Sequence, residues 1–246
     1  MQNSKNEFID LINCATSSQV YLDYCTELYG YGMYLFNMMD KFQLDYLFNN
    51  ISISRSDFVL DLGCGSGSIL NYLVQKYQCQ GIGIDQLDTG IIHKDNKLFT
   101  YVNADIDELE SCSLSPDITI SVDSLYFCRR LDRLLEILTK IKGNRLFLYY
   151  SQYVFDKKNQ DKNILKCDHT RLAESLKKAG IKYRTIDYSE NERYLYEKAL
   201  QILPKYKQAF EQEGHKGLFV KKMNENQLGK ELYDDNCASR YLYIIT

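Results

Sequence analysis

Tryptophan is absent from the 246 residues, and proline occurs only twice. With 13 glycines as well, that composition argues against low-complexity or linker-like stretches. No stretch of about 18 uninterrupted apolar residues occurs, so no membrane-spanning helix is expected. The opening MQNSKNEFIDLINC has no basic region followed by an apolar one, and no secretory leader is expected either. An excess of positive charge is also missing. Lys and Arg number 30 against 33 Asp and Glu, a formal net charge of -3, which makes nucleic acid a disfavoured partner. None of the eight cysteines forms a CxxC pair, and most lie in apolar runs where a free thiol acts as a small hydrophobe. A reduced, cytoplasmic protein with no metal site is the expectation.

What is present is an alternation. From Ser56 onward FVLDL, GIGID, LFTYVNAD, ITISVD and RLFLYY read as short strands, with helical stretches such as GSILNYLVQKYQ between them. RRLDRLLEILTKIKG sets Leu131, Leu134, Leu135 and Leu138 at helical spacing, with Gly143 as its expected stop. Strands alternating with helices predict a parallel sheet covered on both faces. HTRLAESLKKAG is a further helix ending at Gly180, and IKYRTIDY a further strand. Residues 189–235 read as helical and delay the last strand, RYLYIIT. That insertion is placed to form a lid, or simply docks its stripe of Leu195, Ala199, Ile202 and Leu203 on the body. The first 50 residues have no strand pattern, and LYGYGMYLFNMMDKFQLDYLFNN reads as one or two aromatic-rich helices. Residues 1–55 are too short to build their own core and are expected to form a helical cap.

The informative stretch is VLDLGCGSGSIL, residues 59–70. A strand, a glycine turn and a helix place a ligand at the carboxyl edge of a sheet, beside unpaired helix N–H groups. Gly63, Gly65 and Gly67 give G-x-G-x-G, which is neither the G-x-G-x-x-G of dinucleotide sites nor a Walker loop. Asp61 precedes the first glycine, and a carboxylate there repels a pyrophosphate but suits a cationic amine. S-adenosylmethionine carries an amine of that kind, with a carboxylate for the glycine amides and a positive sulfonium. Asp85 follows Gly63 by 22 residues, close to the spacing of an acid that binds ribose hydroxyls, though it also suits a helix cap. Asp105 is placed to bond an adenine amino group or to N-cap the segment after it, and Ile106 to pack on the base.

VLDLGCGSG, the acid in GIGID, NADI and DITISVD, in that order over roughly residues 56–150, resemble motifs I to IV of the class I S-adenosylmethionine-dependent methyltransferases. Further stretches, among them FNMMDKFQLDYL, VDSLYF, LYYSQ, ENERYLYEKAL and SRYLY, resemble a bacterial subgroup of small-molecule type. The resemblance implies a doubly wound α/β, Rossmann-like fold with seven strands, the last antiparallel. It implies a methyltransferase domain over residues 56–246, with the cap before it and the insertion inside it. It also places cofactor contacts on Asp61, on Gly63, Cys64, Gly65 and Gly67 of the loop, and on Asp85, Gln86, Asp105, Ile106 and Asp123. At Cys64 the backbone is expected to matter more than the thiol.

Asp123, at the end of the fourth strand, is open to three readings: a general base, a cofactor contact or a buried hydrogen-bonding group. Tyr126 is the other catalytic candidate. Tyr126, Tyr149, Tyr150 and Gln152 lie at carboxyl ends of strands, where they line an acceptor pocket or pack as core. Tyr21, Tyr24, Tyr34 and Asn37 of the cap are further candidates to cover acceptor or cofactor. The histidines, 93, 169 and 215, occupy no base position beside a motif. Residues 123–126 read DSLY and lack the D/N-P-P-Y/F of many nucleic-acid methylases. The expected activity is methyl transfer to a small molecule by in-line displacement, with alignment as the main catalytic effect. RNA or protein methylation, a non-catalytic S-adenosylmethionine-binding module and a nicotinamide-dependent oxidoreductase are the competing readings.

Overall fold

The computed structural model describes residues 10–86, 96–111, 114–156 and 161–246; His93 and Cys112 lie outside the described residues. The chain forms two compact units, one of residues Ser52–Ser189 with Asn236–Thr246, the other of Met1–Ile51 with Glu190–Asp235.

The first unit holds a seven-stranded sheet. Its strands are β1 (Phe58–Leu62), β2 (Gln80–Asp85), β3 (Phe99–Asn103), β4 (Ile118–Val122), β5 (Arg145–Tyr153), β6 (Arg184–Asp187) and β7 (Ala238–Ile245), in the order β3-β2-β1-β4-β5-β7-β6. β1 to β5 pair in parallel, whereas β7 runs antiparallel to both β5 and β6. Parallel strands bury both faces, which is why β4 and most of β1 are buried throughout. On one face Leu60, Leu62, Leu146 and Leu148 pack with Leu134, Leu135 and Leu138 of the helix Leu131–Lys140 and Leu172 and Leu176 of the helix Arg171–Lys178. The helix Ser68–Tyr77 crosses Gly81 of β2 so closely that a Cβ there would stand 2.8 Å from Leu70 Cδ1 and Val74 Cγ1. Gly180 ends its helix as expected, at φ +67 with its N–H donated to Lys177 O. Gly143 does not: the preceding helix stops at Lys140, and Gly143, at φ +82, shapes the turn into β5 instead.

The second unit is helical. Its helices include Gln19–Tyr29, Lys41–Asn49, Ser189–Ile202, Lys207–Gln212 and Lys216–Asp234. Residues 30–40 are irregular where the sequence suggests helix, because Gly30 turns left-handed at φ +75 and Asp40 opens the next helix as its N-cap. Ser18 and Glu213 cap the helix Gln19–Tyr29 together: Ser18 Oγ accepts from Tyr21 N, and Glu213 Oε1 accepts from Gln19 N at 2.9 Å. At its other end Lys198 Nζ donates to Leu28 O at 2.6 Å, a cation where the helix dipole is negative. Leu195, Ala199, Ile202 and Leu203 are all buried. Among the described residues no helix is long and apolar enough to cross a membrane, and no group of three or more His, Cys, Asp or Glu could hold a metal ion.

Candidate functional site

Four parallel strands end side by side. The register pairs Leu62 with Ile84 and with Ser121, and Asp85 with Asn103, so the glycine loop, Asp85, Asp105 and Asp123 gather along one carboxyl edge. The loop is tight. Gly63 and Cys64 both donate their N–H to Ile84 O, at 2.8 and 3.2 Å, Gly67 donates to Cys64 O at 2.8 Å, and Gly65 donates to Asp85 Oδ2 at 2.8 Å. The amides expected to meet a ligand carboxylate are thus engaged within the protein, because the loop closes on the end of β2. The helix Ser68–Tyr77 follows with Gly67 as its N-cap and no side-chain cap bond.

The loop glycines differ in what surrounds them. At Gly63, φ +71, a Cβ would overlap Ser124; at Gly65, φ +55, nothing lies within 4 Å of where a Cβ would be. Gly63 is therefore glycine for packing, while Gly65 borders open space. Gly83 of β2 makes room for the Cys64 thiol, since a Cβ there would stand 2.6 Å from Cys64 Sγ. Burial, with Asp61 and Asp85 adding to it, pushes that thiol well above its usual value. Its side chain is a fitted small group and not a nucleophile.

Asp61 is 3% exposed, and among the described residues no group donates a hydrogen bond to its carboxylate. Burial first, and the neighbouring Asp85 second, push its carboxyl up to about 8. A buried acid without a donor is a costly arrangement that a cation relieves. Asp85 is half-buried at the end of β2 and accepts from Gly65 N; Gln86 beyond it is exposed.

Asp105 makes the capping contact, which leaves the base reading open. Its Oδ1 accepts from Asp107 N at 2.9 Å, and its Oδ2 stands 3.3 Å from Arg129 Nη2. Ile106 is 7% exposed and belongs to the core cluster with Leu109 and Leu134, so its side chain is engaged there. Asp107, which the sequence did not single out, anchors the segment after β4. Burial works to raise its carboxyl, but donors from Arg130, Cys128 and Arg129 hold it well below the usual carboxylate range. Burial and the bond to Asp107 push the Cys128 thiol up to about 12.

Asp123 meets a residue that the sequence reading missed. Arg240 of β7 is fully buried and grips both carboxylate oxygens, Nη1 to Oδ1 at 2.7 Å and Nη2 to Oδ2 at 3.0 Å. A carboxylate held this way makes the contacts of the hydrogen-bonding reading, half-buried and with both oxygens accepting from the guanidinium. One signal was available: Arg240 is the lone charge in the apolar stretch SRYLYIIT.

Tyr126 lies in the short 3-10 turn Leu125–Phe127, exposed, with its ring 6.2 Å from that of Tyr150. Tyr150 is 2% exposed and part of the core cluster. Tyr149 is fully buried and stacks on Tyr188 at 6.1 Å, which makes it a packing residue. Gln152 Oε1 accepts from Arg171 N at 3.3 Å. Tyr21, Tyr24, Tyr34 and Asn37 belong to the helical unit. There Tyr21 is buried and donates to Leu35 O at 2.7 Å, while the buried Tyr24 hydroxyl accepts from Asn226 Nδ2 at 3.5 Å. Both are packing residues of that unit. Tyr34 is half-buried, and Asn37 Oδ1 accepts from Met39 N at 3.1 Å. His169 is half-exposed beside Asp168, and His215 Nδ1 lies 2.9 Å from Cys14 Sγ in the helical unit.

The strand order, the antiparallel β7 and the glycine loop after β1 define a Rossmann-like fold of the class I methyltransferase type. Residues 44–190 match the family described as methionine biosynthesis protein MetW, and the chain belongs to that family. A protein of Methanocaldococcus jannaschii described as uncharacterized protein MJ1252 is 26% identical over 167 residues, covering 61% of this chain and 64% of its own length. Among solved structures, phosphoethanolamine N-methyltransferase 2 of Haemonchus contortus, in complex with phosphomonomethylethanolamine and S-adenosylhomocysteine, superimposes with a TM-score of 0.73 at 14% identity. That match covers 97% of this chain and 60% of the other. The cyclopropane synthase MmaA2 of Mycobacterium tuberculosis matches with a TM-score of 0.70 at 12% identity, over 96% of this chain and 97% of the other. The chain thus spans somewhat less than two thirds of the curated relative and of the Haemonchus enzyme.

Proposed function

We propose that the protein is an S-adenosylmethionine-dependent methyltransferase acting on a small-molecule acceptor. The observation that carries the reading is Asp61, an acid buried with no hydrogen-bond donor among the described residues, beside a glycine loop whose Gly65 borders open space. An ammonium group supplies the counter-charge that lets Asp61 ionise, and a dinucleotide pyrophosphate supplies none. The residues present therefore fit an amino-acid nucleoside: Asp61 toward its amine, Asp85 toward its ribose hydroxyls, and Asp105 at the far end of the edge toward its base. Bound there, S-adenosylmethionine would supply a methyl group on a sulfonium, a carbon with an excellent leaving group already attached.

The chain's own contribution is then to bind and orient. Asp61 fixes the amino-acid end, and the loop, closed on Ile84 O and Asp85, presents a rigid wall. Alignment of acceptor and methyl carbon supplies the main part of the rate enhancement. With Asp123 engaged by Arg240, an acceptor that arrives as a free amine or thiolate needs no proton removed by that residue. The solved structures of the same fold that hold S-adenosylhomocysteine or S-adenosylmethionine support the reading.

The test is isothermal titration with S-adenosylmethionine, S-adenosylhomocysteine and NAD in parallel, at pH 7 in two buffers of different protonation heat. Binding of the first two without NAD is expected. Net proton release is expected on binding, because Asp61 ionises as it meets the amine. NAD binding alone would overturn the reading of Asp61 and with it the proposed activity. Tight binding with no turnover across amine, thiol and hydroxyl acceptors would favour a non-catalytic binding module.

A further inference from the structure

We propose that Arg240 is a positioning residue for the glycine loop, acting through Asp123 and Ser124 without touching donor or acceptor. The inference rests on the methyl-donor reading of the loop and goes beyond it by naming what holds the loop in shape.

Arg240 is a guanidinium with no exposed surface in a strand where every other residue from Ser239 to Ile245 is buried too. Its place is secured from several sides. Beyond the two bonds to Asp123, Nη1 donates to Ser151 Oγ of β5 at 2.7 Å, and the guanidinium lies 6.0 Å from the centre of the Tyr149 ring. Its backbone is tied as well, with N–H donated to Ser189 Oγ at 3.0 Å and carbonyl accepting from Tyr188 N at 2.8 Å. A planar fork fixed this firmly dictates where the Asp123 carboxylate stands.

Asp123 is held in turn in a conformation that non-glycine residues seldom adopt, at φ +53, with its N–H donated to Tyr149 O at 3.2 Å. The left-handed turn ends β4 abruptly and swings the next residue, Ser124, across the end of β1. Ser124 Oγ donates to Leu62 O at 2.6 Å and lies 2.6 Å from Ser121 Oγ, which reaches the same carbonyl at 3.2 Å. Ser124 then fills the space where a Cβ on Gly63 would be. The contacts run without a gap from β7 to the first turn of the loop. Leu62 and Gly63 cannot shift unless Ser124 does, and Ser124 follows the backbone of Asp123. A backbone strained at one residue and over-determined by its surroundings is a common way to keep a site in one shape.

Arg240→Lys keeps the charge but loses the two-oxygen grip. The pair Asp123→Asn with Arg240→Met removes both charges at once, so neither is left buried alone. Ser151→Ala, which removes only one support of the guanidinium, is the gentlest variant and serves if the others do not fold. Each is followed by thermal unfolding, by hydrogen exchange of the ligand-free protein, and by titration with S-adenosylhomocysteine and with adenosine, which lacks the amino-acid end.

The expected result has two parts. Exchange should rise across residues 63–67 while β2 and β5 keep their protection. Affinity for S-adenosylhomocysteine should fall roughly tenfold, while that for adenosine holds. A purely structural role would lower the unfolding temperature and leave both the exchange pattern at 63–67 and the ratio of the two affinities as in the wild type; that result overturns the proposal. If the wild type binds neither compound, the methyl-donor reading fails on its own, and exchange at 63–67 still decides whether Arg240 holds the loop.

Discussion

Asp61 sets a conflict at the scale of one residue. Its carboxyl titrates at about 8 in the folded protein against an ordinary value of 3.8, with burial the larger cause and Asp85 the smaller. Below pH 3.8 both folded and unfolded chains hold the proton. As pH rises from there toward 8 the unfolded chain gives it up and the native protein keeps it, so this group's contribution to stability declines through that window and levels off above it. Asp61→Asn removes the decline. The variant should match the wild type in unfolding temperature near pH 4 and exceed it by several degrees at pH 8, while binding S-adenosylmethionine more weakly. A gap that stays constant between pH 4 and 8 would show that Asp61 is not a buried, unrelieved acid. The site residue was legible because its signal is local: an acid two positions before a glycine turn. Arg240 was not, because the residue it serves lies 117 positions away.

Among the elements, the loop between β1 and the helix Ser68–Tyr77 shows that one motif can hold glycines for different reasons. Gly63→Ala forces a Cβ into Ser124 at a positive φ, whereas Gly65→Ala meets no atom within 4 Å. The first change should destabilise the fold by well over the cost of a left-handed non-glycine residue. The second should cost only that, roughly 1–2 kcal/mol, yet impair ligand binding because its new methyl enters the open space. Chemical denaturation and titration of both variants check this, and equal losses of stability would refute the distinction. The helices were read well wherever an apolar stripe was uninterrupted, as at Leu131, Leu134, Leu135 and Leu138. Their ends were read less well. Gly143 and the stretch 30–40 went astray because a glycine marks a turn without saying which residue stops the helix.

For the molecule as a whole, the chain's order and its organisation in space differ. The helical unit draws on two segments, Met1–Ile51 and Glu190–Asp235, that flank most of the sheet unit in sequence. Within it Tyr233 donates to the buried Glu192, Asn191 Nδ2 donates to Asp40 Oδ2 at 2.7 Å, and Lys198 ties down the helix Gln19–Tyr29. Neither segment covers its own apolar and polar groups alone. Deleting residues 1–51 should therefore leave residues 190–235 open to limited proteolysis, with the sheet unit still resistant; protection of 190–235 in the shortened chain would contradict that dependence.

The sequence by itself determined the alternation of strands and helices, the glycine loop with its acid, and the apolar stripes that face the core. All of these follow from turn chemistry and side-chain period, which act over a few residues. Only the tertiary structure decided that β7 inserts between β5 and β6, that Ile106 joins the core, that the loop amides close on Ile84 and Asp85, and that Asp123 is clamped by Arg240. Each of those depends on which distant residues share a place once the chain has folded, and a partner's position in space has no signature in the local pattern.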